Sequence, residues 1–90
     1  MPVAAFGTDN EQTSRLLSQL CNEQFQLIEQ GYHILRLDDP RNRKRDGNEG
    51  WMTMFEHWGK TATFQHFWQR DQDHYGMATR AFINELIGAG

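Results

Sequence analysis

"RDQDHYG", residues 70–76, decides how the second half of this chain is read. Asp71, Asp73 and Gly76 give the D-x-D-x-x-G opening of a calcium loop, and a loop here would split the C-terminal half in two. A continuous helix would instead place the same residues on a polar surface. Placing the residues on a helical wheel, at ~100° per residue, favours the helix. Phe64, Phe67, Trp68, Asp71, Tyr75, Ala78, Phe82 and Leu86 share an arc of roughly 100°, and the phase passes Gly76 unbroken. A calcium loop also needs a bidentate Glu at its last position, where Phe82 stands, and an oxygen ligand where Tyr75 stands. The expectation is one helix over about 62–87, with no calcium bound.

The same reasoning extends to the N-terminal half. Thr8 and Glu11 form a T-x-x-E capping box, which starts a helix near residue 9 and leaves 1–8 as a flexible N-terminus. Leu16, Leu17, Leu20, Cys21, Phe25, Leu27, Ile28, Tyr32, Ile34 and Leu35 fall within one half of the wheel, and the phase is the same on both sides of Gly31. One helix is therefore expected over about 9–36, ended by Asp38-Asp39-Pro40, with Leu37 on its polar side. Residues 37–49 read as a charged loop. Trp51, Met52, Met54, Phe55 and Trp58 suggest a short aromatic helix over about 50–58, and Thr61 or Thr63 can cap the helix that follows.

The fold class is all-α. The arrangement expected is an antiparallel helical hairpin or small bundle of two long helices with the aromatic helix between them, in a single helical domain over 1–90. Glycine inside a helix costs about 1 kcal/mol relative to Ala, so Gly31 or Gly76 is expected to mark a close crossing of helices.

Ninety residues with 38% hydrophobic content make a lean core, and the mean hydropathy is −0.78. Eleven aromatic residues compensate in part. A net charge of −3 gives no general attraction for nucleic acid or an anionic membrane. Cys21 is the one cysteine, so neither an internal disulfide nor a cysteine-rich zinc site can form. No run of apolar residues reaches the ~20 needed to span a bilayer, and "MPVAAFG" lacks the basic start of a signal peptide. A soluble, cytoplasmic protein is expected.

Chemistry-bearing patterns are sparse. His33, His57, His66 and His74 are at least eight residues apart, which is about 12 Å along a helix, so no local metal chelate exists. Ser14 and Ser18 have no base within helical reach, Cys21 belongs to the core arc, and no phosphate-binding glycine motif occurs. Neither a catalytic set nor a cofactor or metal site is expected. Asp71 lies inside the aromatic arc, where a carboxylate needs a partner: either an arginine or tyrosine of the chain, or a group across an interface.

Two surfaces remain. The aromatic segment carries more large side chains than three helices readily enclose, and Trp and Met are enriched at interfaces. Trp51, Met54, Phe55 and Trp58, with Asp71, are the residues expected to meet a partner, either another protein or a second copy in a homodimer. The alternative is nucleic-acid binding through Arg41, Arg43, Lys44 and Arg45, although flanking aspartates offset their charge and no aromatic is interleaved for stacking. A small non-enzymatic interaction module, acting as adaptor, regulator or inhibitor, is the leading expectation.

Overall fold

The computed structural model describes residues 2–88, with side chains from Glu11 to Gly88. Helix α1 (Pro2–Ile34) is followed by α2 (Pro40–Arg43), α3 (Asn48–Gly59), α4 (Ala62–Asp71) and α5 (Met77–Gly88). A 3₁₀ turn, Gln72–His74, separates α4 from α5, and there is no strand among the described residues. The chain is all-α, a small bundle assembled on one long helix.

α1 passes Gly31 unbroken, as its apolar phase requires. It begins at Pro2, ahead of the expected start at residue 9. Proline suits a first helical turn because its missing N–H is among those a helix leaves unpaired. The Thr8 side chain lies outside the described residues. Cys21, Phe25 and Ile28 are buried on one face of α1, with Tyr32 and Leu35 partly buried beside them. Phe25 is the centre of this face: its ring lies 4.9 Å from Phe64, 5.0 Å from Trp68 and 6.0 Å from Tyr75.

The expected helix over 62–87 is broken in two. Trp68 Nε1 donates to Asn84 Oδ1 at 2.9 Å, although the residues are 16 apart in sequence. In one straight helix they would stand about 24 Å apart. The chain instead folds back at 72–76, where Tyr75 is extended (φ −117°, ψ 154°). Contacts along α1 show the reversal. Phe64 meets Phe25 while Arg70 reaches back to Ser18 at 2.5 Å, so α4 runs antiparallel to α1. Glu29 then meets Thr79 and Tyr32 meets Phe82, so α5 runs parallel to α1. The expected antiparallel pairing thus holds for α4 and fails for α5. Continuity of phase misled because the two buried faces overlap: Thr79 and Ile83 are buried and Ala78 is exposed, a face rotated from that of α4.

The end of α1 also departs from expectation. Leu37 N–H donates to the Tyr32 carbonyl at 3.0 Å and Arg36 adopts φ 55°, the left-handed turn that closes many helices. This redirects Leu37 from the polar side into the core, where it is fully buried. The segment 37–49 is not a bare loop. Asp39 caps α2 by accepting from Arg41 N–H at 2.9 Å, and Pro40 occupies its first position. Asn42 Nδ2 donates to the Arg36 carbonyl at 2.8 Å and Asn48 Nδ2 to the Asn42 carbonyl at 2.9 Å. Thr61, one of the two expected caps, accepts from Phe64 N–H at 3.3 Å.

Two glycines permit close approaches. A Cβ on Gly31 would lie 3.1 Å from the Phe55 ring, so Gly31 admits a side chain of α3 and does not mark a crossing with the C-terminal helices. The close backbone crossing is at Gly59, not at Gly76. A Cβ on Gly59 would meet the Leu86 and Ile87 backbone at 3.2–3.3 Å, whereas nothing lies within 4 Å of one on Gly76. Backbone cannot swing aside as a side chain can. Gly59→Ala is therefore expected to lower stability by about 1–3 kcal/mol in urea unfolding, with Gly76→Ala near neutral; equal effects would show that Gly59 does not mark a tight crossing. Arg36→Gly, which relieves a left-handed residue, is expected to raise stability by about 1 kcal/mol in the same assay.

Candidate interaction surface

α1 has an apolar half-circumference, and the other helices cover only part of it. Cys21, Phe25 and Ile28 face the bundle. Leu16, Leu20, Leu27 and Ile34 occupy the neighbouring stripe and are 65%, 51%, 37% and 75% exposed. Trp51 of α3, 42% exposed, continues this stripe beside Ile34. Leu27, Gly31, Ile34, Leu35, Trp51 and Phe55 line an almost wholly apolar notch of about 170 Å³.

The residues expected to meet a partner divide by position. Trp51 is exposed, and Met54 and Trp58 are half-buried, packed against the core. Phe55 is fully buried, with its ring against Gly31 and between Trp51 and Trp58 at 5.9 and 5.8 Å. Its ring therefore forms the floor of the notch rather than a surface contact. Sequence reasoning placed the surplus apolar surface on α3, while most of it lies on α1. The signal was present in the spacing of seven that links Leu20, Leu27 and Ile34.

Asp71 is buried and satisfied within the chain. Arg70 Nε and Nη2 donate to its two carboxylate oxygens at 2.8 and 2.9 Å, so the arginine anticipated for it is its sequence neighbour. Asp73 turns instead toward Arg80 at 3.3 Å. Among the described residues, no three His, Cys, Asp or Glu side chains come together in a way that could hold a metal ion. The Cys21 thiol is pushed up, chiefly by burial and then by the Asp71 charge, and burial likewise raises the Tyr75 hydroxyl.

The basic segment is partly committed to the fold. Arg41 pairs with Asp39 at 3.1 Å. Arg43 donates to the Leu37 carbonyl at 2.6 Å, lies 5.1 Å over the Phe82 ring and pairs with Glu85. Lys44 and Arg45 are the exposed pair that remains. A cleft of about 370 Å³ beside them is larger than the notch, but Arg43 and Lys44 face Glu49, Glu56 and Glu85 across it. Charges of both signs leave it no field to attract a polyanion.

Among the described residues, no helix is long and apolar enough to cross a membrane. Comparison of the chain with family models, with curated protein sequences and with solved structures finds no match.

Hydrogen bonds from Arg70 hold the Asp71 carboxyl below the usual carboxylate range, against an opposing push from burial. A carboxyl whose pKa is lower folded than unfolded stabilises the fold above its unfolded value of about 4 and loses that contribution as pH falls through the folded value. Asp71→Asn is expected to lower the Tm at neutral pH and to approach the parent as pH falls below about 4. Thermal unfolding across this range checks it, and a gap that does not change with pH would deny the linkage.

Proposed function

We propose that this chain is a small, non-enzymatic interaction module whose working surface is the uncovered apolar stripe of α1 together with Trp51. The observation that carries this reading is the exposure of Leu16, Leu20, Leu27 and Ile34 on one side of a single helix. Isolated exposed leucines are ordinary on a protein surface, but four large apolar side chains aligned on one side of a single helix are the pattern of an interface. Adjoining aromatic surface strengthens it, because tryptophan at a wet edge can bury a large ring while keeping its N–H hydrated.

The basic segment supports nucleic-acid binding less well. Arg41 and Arg43 already have partners within the chain. Lys44 and Arg45, which pair with no side chain among the described residues, are a weak footprint for a phosphate backbone, and the cleft that Lys44 lines is of mixed charge.

Leu20→Glu combined with Ile34→Glu tests the reading. Both side chains are exposed, so circular dichroism of the double variant should match the parent. Binding of an apolar fluorescent dye and any self-association seen by light scattering should fall sharply. A parent chain that binds no dye and associates with nothing would overturn the reading.

A further inference from the structure

The notch beside Trp51 has the geometry of a coiled-coil hole. Its α1 lining, Leu27, Gln30, Gly31 and Ile34, falls at i, i+3, i+4 and i+7, the four-residue diamond that receives one apolar knob from a facing helix. Gly31, at the i+4 corner, admits the Phe55 ring 3.1 Å from where a Cβ would stand, so Phe55 and Trp51 of α3 close the notch on that side. Two apolar knobs, Leu16 and Leu20, stand on the same stripe toward the N-terminal end of α1. Hole and knobs are thus carried at opposite ends of one straight seam, spanning about 27 Å from Leu16 to Ile34.

We infer that the occupant of this face is a second copy of the chain, with the two α1 helices packed antiparallel about a twofold axis. A twofold pairing presents the same patch from both sides, so a surface with a hole at one end and knobs at the other complements itself. The register that seats Leu16 over Gly31 of the second copy also sets Leu20 against its Leu27. The axis then passes between residues 23 and 24. Charge is sparse along the seam: Gln12, Gln19 and Gln30 flank the stripe, and Glu23, an exposed carboxylate beside it, meets its copy near the axis, where the pair must turn outward to solvent.

Area agrees with self-pairing. The uncovered parts of Leu16, Leu20, Leu27, Ile34 and Trp51 amount to roughly 500 Å² per chain, so their complete burial in the pair would remove up to about 1,000 Å², which reaches the threshold for a specific interface. Because the inference rests on the interaction reading given above, its test has to separate a wrong occupant from a wrong surface.

Light scattering on the full chain at micromolar concentration should give the mass of two chains, and Leu20→Glu should weaken the pairing at least tenfold with circular dichroism unchanged. Nitroxide labels in a Cys21→Ala background fix the direction. Labels at Glu23→Cys should lie within about 15 Å of each other, and labels at Gln12→Cys about 35 Å apart, from 1.5 Å of rise per residue on either side of the axis. Short distances at both positions would mean parallel helices and would overturn the arrangement. A dimer indifferent to Leu20→Glu would place the contact on another face and overturn it too. A monomer that still binds an apolar dye or a synthetic amphipathic helical peptide on this stripe would assign the face to a different protein, overturning the second-copy inference alone. A monomer that binds neither would remove the interaction reading with it.

Discussion

The packing around Phe25 is what the bundle depends on. This one ring, fully buried on α1, touches Phe64 and Trp68 of α4 and Tyr75 at the turn beyond it. Removing such a ring costs about 3–5 kcal/mol, a large part of the 5–15 kcal/mol by which a typical domain is stable. The fold-back at 72–76 is understandable in these terms. By reversing there, the chain returns Tyr75 to the ring that Phe64 and Trp68 already cover, then sends α5 along the rest of α1. A straight continuation would have carried Phe82 and Leu86 away from Tyr32 and Leu37.

Length sets the second constraint. α1 has 33 residues, while α3, α4 and α5 have 12, 10 and 12. A rod of about 50 Å cannot be enclosed by helices a third as long, and the molecule measures 55 × 25 × 22 Å accordingly. The uncovered leucines are therefore a result of architecture as much as of composition. Only one side of α1 is answered by α4 and α5, and the adjoining stripe is left to whatever lies outside the chain.

Much of the fold could be read from the residues. The all-α class, the passage of α1 through Gly31, the short aromatic helix and the Thr61 cap all follow from periodicity and capping chemistry. The break at 72–76 was harder to read. Two apolar stripes each about 100° wide overlap by chance about half the time, so an unbroken phase across Gly76 was weak evidence of one helix. The stronger signal was local: a run of Asp, Gln, Asp and His before Tyr-Gly is rich in turn formers. Leu37 was misplaced because a left-handed residue at Arg36 resets the wheel, and nothing in an arginine announces that conformation. On the surface, the surplus of apolar side chains was legible, but which helix would expose them depended on where α4 and α5 dock. That is a tertiary fact. The burial of Phe55 belongs to the same class, since it is fixed by Gly31 on a distant turn.

The hydrogen bond from Trp68 to Asn84 bears on the chain entropy that assembly costs. It closes a span of 16 residues, whereas Thr79 to Glu29 closes one of 50. Loop-closure entropy makes the shorter span cheaper by about 1 kcal/mol, before any packing is gained. The C-terminal pair of helices thus carries a smaller closure cost than the contacts that join it to α1.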